Sequence, residues 1–174
     1  MQFCLLNGEQ KCQYKQRLLQ ILADNDTAFV PPLSQRTGTT QTDFQSAGGS
    51  ICAYFDRMME QNVLAVFLEG QVVGFVSYIE NLTSDVIGED TLPNLYISTL
   101  VLQPETRGMG ITKKVYAYLF NELYPERNVF TRTWSTNTAH IKILNSFGFE
   151  EIKRIPNDRG AGVDTVYYGK KHTS

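Results

Sequence analysis

Residues 100–112 read Leu-Val-Leu-Gln-Pro-Glu-Thr-Arg-Gly-Met-Gly-Ile-Thr: an apolar run, a turn with two glycines, and the start of a helical pattern. The first amides of a helix have no partner within the helix, so they can bind an anion. Gly108 and Gly110 let the backbone come close to such a group, because glycine has no Cβ. The order strand, glycine turn, helix therefore predicts a binding site for a phosphorylated cofactor.

The composition is that of an ordinary globular chain. Its 174 residues predict one domain, 1–174, and a net charge of −2 argues against nucleic acid as a partner. No apolar stretch approaches the ~20 residues of a membrane span, and no signal peptide is evident. The three cysteines share no metal-ligand spacing, so we expect reduced thiols, no metal and a cytoplasmic location. Asn25 and Asn81 lie in glycosylation sequons, which we therefore expect to be accidental.

Hydrophobic periodicity predicts an α/β (α+β) protein in which about four helices cover a mixed sheet. The predicted helices are 13–23, 50–61, 111–123 and a short one from Asn137 to Gly148; the predicted strands are 63–68, 72–79, 95–102, 129–135, 149–155 and 164–168. The run 95–102 is apolar on both faces, which indicates a central strand. The stretch 24–49 is long and irregular, and such a connection is usually functional or mobile.

The glycine turn matches neither of two common phosphate motifs. A Walker loop needs Gly-x-x-x-x-Gly-Lys-Ser/Thr, which does not occur, and a dinucleotide fingerprint needs a glycine where this chain has Lys113. The segment instead resembles the pyrophosphate loop of the GNAT superfamily, the Gcn5-related N-acetyltransferases: hydrophobic-x-Pro-x-x-Arg-Gly-x-Gly-hydrophobic-Gly/Ala. Only Thr112 departs from that pattern. The family's second motif, Asn followed eleven residues later by Gly-Phe, is present as Asn137 and Gly148-Phe149.

This resemblance implies the acyl-CoA N-acyltransferase fold, a central mixed and mostly antiparallel sheet, with acetyl-CoA or another acyl-CoA as cosubstrate. In the family, the strand before the turn offers backbone groups to the pantetheine arm, the turn amides hold the pyrophosphate, and the motif asparagine bonds the arm. The corresponding residues here are Leu100, Val101, Leu102, Arg107, Gly108, Met109, Gly110, Ile111, Thr112, Lys113 and Asn137.

The usual catalytic positions of the family carry other residues in this chain. Many members have a tyrosine acid seven residues after the motif asparagine, where this chain has Leu144, and some have a glutamate base five residues before it, where this chain has Arg132. Three substitutes remain as catalytic candidates, each of which also has a structural interpretation. They are Tyr167, on the last strand, His140, on a helix, and Glu80, at a strand end.

The resemblance implies acetyl transfer to a primary amine, and we expect a small-molecule acceptor. Two alternatives stay open: a peptide or protein N-terminal acetyltransferase, and a non-catalytic acyl-CoA-binding module. The candidate substrate-binding residues are Phe29, Pro32 and Trp134. The loop at 29–33 either walls an acceptor pocket or is pinned to the core by Phe29 and Leu33. Edge strands in this family often pair, so a homodimer is possible.

Overall fold

The computed structural model describes residues 1–42, 44 and 48–172. The helices of this part are α1 (Gly8–Asp24), α2 (Ile51–Met59), α3 (Ile111–Tyr118) and α4 (Thr138–Ser146). The strands are β1 (Gln2–Leu5), β2 (Asn62–Leu68), β3 (Gln71–Glu80), β4 (Asn94–Leu102), β5 (Asn128–Trp134), β6 (Glu150–Ile155) and β7 (Thr165–Lys170). No helix among the described residues is long and apolar enough to cross a membrane.

The strands form one sheet in the order β1-β2-β3-β4-β5-β7-β6. The pairing of β4 with β5 is parallel, whereas β1 with β2, β2 with β3, β5 with β7 and β6 with β7 are antiparallel. The mixed, mostly antiparallel sheet with four helices is therefore confirmed. So is the central place of the strand predicted at 95–102, which is β4.

Most predicted boundaries are off by one or two residues, and three elements differ more clearly from the prediction. Strand β1 was not predicted, because its four residues show no clear alternation and their partner, β2, lies far away in the chain, with Gln2 opposite Phe67 and Leu5 opposite Leu64. Helix α1 begins at Gly8, where Asn7 and Gln10 form a reciprocal capping box. Helix α3 is regular only to Tyr118 and continues as a π-helical turn over Leu119–Leu123.

The chain divides into two compact units. The first contains residues 1–78 and 98–111. Its core lies between the apolar faces of α1 and α2 and the strands. The fully buried side chains of this core include Leu18, Ile21, Leu22, Leu33, Tyr54, Met58, Val63 and Phe75. Burial of an amphipathic helix face against a sheet is the main source of stability for such an arrangement.

The second unit contains residues 79–97 and 112–174. Its helices α3 and α4 meet through aromatic rings. Tyr116 stacks on Phe120 with ring centroids 5.2 Å apart and meets Phe147 edge-on at 5.8 Å. Phe149 lies in the same cluster, 5.6 Å from Phe120. These contacts hold α3 and α4 together, so they fix the helix that follows the glycine turn.

Candidate active site

The turn after β4 is built from local hydrogen bonds. Pro104 opens a 3-10 turn, and the amide of Thr106 donates to the carbonyl of Gln103 (3.0 Å). The Thr106 hydroxyl donates to the same carbonyl (2.8 Å), and the amide of Arg107 donates to Pro104 (3.2 Å). This turn is therefore closed before the glycines begin.

Gly108 and Gly110 give the turn an open backbone. Their φ angles are 78° and 71°, in the left-handed region that favours glycine, and a Cβ added to either would meet nothing within 4 Å. Met109 between them is 53% exposed, while Ile111 is buried and anchors the start of α3. The first amides of α3 have no acceptor within the helix, and the helix dipole places positive charge at the same end. An anionic group such as a diphosphate fits this combination.

Between two hydrogen bonds that join β3 to β4, the β4 side of the pair contains one residue more than the β3 side. The amide of Asn81 donates to Asn94 at one end (2.9 Å), and the amide of Gln103 donates to Val73 at the other (2.7 Å). Between these bonds the chain takes eight residue steps from Val73 to Asn81 and nine from Asn94 to Gln103. The extra residue makes a bulge in β4, which leaves backbone groups outside the regular ladder. The sequence pattern gave no sign of this bulge.

The end of β4 is held by Asn25, directly after α1, a residue that the sequence analysis did not single out as functional. The Asn25 amide nitrogen donates to the carbonyl of Leu102 (3.0 Å), and its oxygen accepts from Arg107 Nη2 (2.6 Å). The Leu102 carbonyl and one corner of the Arg107 guanidinium are thus already engaged. Val101 neighbours Gly74 of β3, so its carbonyl faces that strand.

Asn137 caps helix α4. Its side-chain oxygen accepts from the amide of His140 (3.4 Å), and its nitrogen donates to the Thr133 hydroxyl (3.1 Å). A cap of this kind satisfies one of the free amides at the helix start. Ser135, by contrast, accepts from the amide of Asp164 (3.0 Å) and joins two strands.

Glu80 takes part in an ion pair within the second unit. Its carboxylate lies 3.5 Å from Arg127 Nη2 and accepts from the Tyr124 hydroxyl at 3.1 Å. Arg127 also donates to Asn81 (3.0 Å), so the strand end is a small polar network. These contacts favour a structural role for Glu80.

His140 lies against the aromatic cluster of α3. Its Nε2 is 2.6 Å from the hydroxyl of Tyr116, which is fully buried. Burial lowers the pKa of His140 from 6.5 to about 4 and raises that of Tyr116. Both groups are therefore neutral near pH 7, and the pair serves packing better than proton transfer.

Tyr167 has surroundings that suit a general acid better than those of Glu80 or His140. It lies opposite Arg132 on neighbouring strands, and Arg132 Nη1 donates to its phenolic oxygen (3.2 Å). An arginine has no acceptor, so the oxygen accepts in this bond and the phenolic hydrogen stays available for another partner. Arg132, which replaces the family's glutamate, thus contacts the candidate acid directly.

The three candidate substrate-binding residues have different surroundings. Phe29 stacks beneath the Arg36 guanidinium (5.3 Å) and packs against the core that contains fully buried Leu33. Pro32 is half-buried next to it. This favours the interpretation in which the loop is pinned to the core. Trp134 lies under the buried guanidinium of Arg159, 5.8 Å from its ring centroid.

A polar network joins the long loop to β4, and sequence reasoning did not find it. Ser98 bonds the hydroxyl of Ser77 (2.9 Å) and the side chain of Gln61, and Gln61 donates to Thr39 of the loop (2.5 Å). No local pattern links these residues, because they are brought together only by the pairing of distant segments.

The class of protein follows from a comparison of the sequence with known families. The sequence profile of the acetyltransferase (GNAT) family matches residues 18–149. The chain therefore belongs to the GNAT family, whose members are acyl-CoA-dependent N-acetyltransferases. No curated protein sequence matches the chain significantly.

Solved structures with the same fold include three with stated partners or substrates. The ribosomal-protein-alanine N-acetyltransferase of Brucella melitensis has a TM-score of 0.63 and 20% identity over 98% of this chain and 99% of its own. The yncA protein of Salmonella typhimurium, solved with its cofactor acetyl-CoA, has a TM-score of 0.64 and 19% identity over 100% of this chain and 95% of its own. The aminoglycoside 6'-N-acetyltransferase of Enterococcus faecium has a TM-score of 0.67 and 14% identity over 100% of this chain and 98% of its own. At these identities the likeness is one of fold.

Proposed function

We propose that this protein transfers an acetyl group directly from acetyl-CoA to the primary amine of a small molecule. Family membership supplies the reaction class. The observation that supports acetyl-CoA as the cosubstrate is the open backbone at Gly108 and Gly110, where positive φ angles and free space lie directly before the start of α3. The whole chain, 1–174, would then act as one catalytic domain.

The proposed cosubstrate contacts follow the chain through the turn. The diphosphate would take the amides of Gly108, Met109, Gly110, Ile111, Thr112 and Lys113, with charge from Arg107 and Lys113. The pantetheine arm would pair with backbone groups of Leu100, Val101 and Leu102 near the bulge of β4. Asn137 would add a bond to the arm while still capping α4, since an amide offers more than one hydrogen-bonding group.

Tyr167 is the general acid of the proposed mechanism. The neutral acceptor amine attacks the thioester carbonyl, a C–N bond forms, and the C–S bond breaks. The departing thiolate takes the phenolic hydrogen of Tyr167, which Arg132 leaves available by donating only to the oxygen. The ammonium proton of the product passes to water, and water later restores the phenol.

The acceptor is proposed to be small, and the loop at 24–49 with Phe29 and Pro32 is its proposed wall, with Trp134 as a further contact. Two of the solved structures illustrate the open alternatives, because one is named for a ribosomal protein and one for an aminoglycoside. We also propose a cytoplasmic location and allow for a homodimer. The three free thiols Cys4, Cys12 and Cys52 agree with a reducing compartment.

A thiol-release assay tests this function. The protein is incubated with acetyl-CoA and a panel of amines that includes aminoglycosides, polyamines, amino acids and peptides with free N-termini, and free CoA thiol is followed. Release with small amines supports the proposal, and release with peptides alone supports the N-terminal alternative. Tight CoA binding by calorimetry without turnover supports the non-catalytic module. Absence of CoA binding would overturn the assignment of the turn.

A further inference from the structure

Asn25, directly after α1, is a buried amide whose polar groups are all used. It is 4% exposed, and its nitrogen donates to the carbonyls of Ile21 (2.8 Å) and Leu102 (3.0 Å). Its oxygen accepts from Arg107 Nη2 at 2.6 Å, a short distance typical of a charge-assisted bond. One side chain thereby joins the end of α1, the end of β4 and the glycine turn.

The two distant bonds of Asn25 lie on either side of one short connection. Leu102 is the last residue of β4, and Arg107 directly precedes the glycines. The 3-10 turn between them is closed by its own bonds, so Asn25 fixes both of its ends against α1. The position of the first glycine is therefore set by a residue about eighty positions earlier in the chain.

We infer that Asn25 is a positioning residue for the acyl-CoA diphosphate and acts through Arg107. This rests on the proposed function. Arg107 is exposed, and its Nε and Nη1 make no hydrogen bond to any residue in the described part of the chain. One corner of the guanidinium is held, and the remaining N–H groups are presented together. A long side chain that is already ordered loses less entropy when it binds.

The choice of an amide at position 25 suits this role. A carboxylate would hold Arg107 as well, but it would cancel the positive charge that a diphosphate needs. It would also have no N–H to offer the carbonyls of Ile21 and Leu102, which would then face a negative oxygen. The uncharged amide orients the guanidinium and leaves its charge for the ligand.

The test compares CoA with a cosubstrate that has no diphosphate. In Asn25→Ala, we expect the Kd for CoA and the KM for acetyl-CoA to rise about tenfold, the loss expected from one charge-assisted bond. Turnover of acetylpantetheine, which lacks the diphosphate, stays within twofold of the wild type. The control is Asn7→Ala, which removes the cap at the other end of α1. It leaves both cosubstrates unaffected.

A second variant keeps the inference testable if Asn25→Ala does not fold. Arg107 is exposed, and Arg107→Ala is expected to weaken CoA binding by a similar factor. The double variant is expected to weaken CoA binding by less than the product of the two separate factors. The inference is overturned if Asn25→Ala weakens acetylpantetheine as much as acetyl-CoA, or if either variant binds CoA as the wild type does. Failure of the wild type itself to bind CoA would instead overturn the proposed function.

Discussion

At the scale of single residues, Gly110 offers the sharpest test of the cosubstrate turn. With φ at 71° and no atom within 4 Å of an added Cβ, a Gly110→Trp side chain would occupy the open space proposed for the diphosphate. The matched control is Gly70→Trp in the β2–β3 hairpin, where φ is 78° and the space is equally open. Both variants are expected to lose about 1–2 kcal/mol from the left-handed backbone, and only Gly110→Trp to lose CoA binding in calorimetry. CoA binding by Gly110→Trp at wild-type affinity would contradict the turn assignment.

Tyr167 can be tested by removing a single oxygen. We expect Tyr167→Phe to lower kcat about 10²-fold, the lower end of the range for a general acid, with the KM for acetyl-CoA unchanged. The control is Tyr168→Phe, because neighbouring residues of a strand point to opposite faces. Equal kcat values for the two variants would exclude Tyr167 as the acid.

His140 makes stability depend on pH. Its folded pKa, about 4, lies below its ordinary value of 6.5, so the unfolded chain binds more protons between these values. The free energy of unfolding is therefore highest above pH 6.5, where His140 is neutral in both states. It falls by at most about 3 kcal/mol as the pH drops toward 4. Urea titrations at pH 7 and 4.5 should show that the free energy of unfolding differs less between the two pH values in His140→Gln than in the wild type. The same substitution at exposed His172 is the control, and an unchanged pH dependence in His140→Gln would contradict the burial argument.

At the scale of elements, the contact of β3 with the end of β4 depends on Gly74. A Cβ there would lie 2.4 Å from Leu102 Cδ2 and 2.6 Å from the Val101 carbonyl oxygen, and backbone cannot yield as a side chain can. We expect Gly74→Ala to lower the free energy of unfolding by about 1–3 kcal/mol. The control, Gly8→Ala, adds a methyl group into open space at the start of α1. Equal urea midpoints for the two variants would contradict this prediction, because they would show that β3 and β4 can move apart at Gly74 with little loss of free energy.

The elements themselves were largely predictable, because long apolar periodicity is a local signal. Helix α2 was found through the Ser50 cap, and the structure has that cap, with Ser50 accepting from the amide of Ala53. Strand β1 and the bulge of β4 were not found. Both are defined by which backbone pairs with which, and pairing partners distant in sequence leave no mark on a short window of residues.

At the scale of the whole molecule, the mixed sheet and the central place of β4 followed from the sequence together with the family resemblance, whereas the order of the seven strands in the sheet was not predicted. The open turn at Gly108 and Gly110 was predictable because it lies in one continuous segment of sequence, and its binding of a diphosphate stays a prediction. Asn25 was not, since its partners Leu102 and Arg107 lie 77 and 82 residues away. The catalytic acid stays a prediction, because the family's usual position carries Leu144 instead of a tyrosine.

The burial of Asn25 has a consequence for how the protein can be produced. Asn25-Asp26-Thr27 is an acceptor sequence for an N-linked oligosaccharide, yet the folded chain uses every polar atom of that amide in its interior. A sugar attached before folding would have no room there. Passage through a eukaryotic secretory route would therefore yield misfolded protein, whereas a bacterial expression host leaves the asparagine intact.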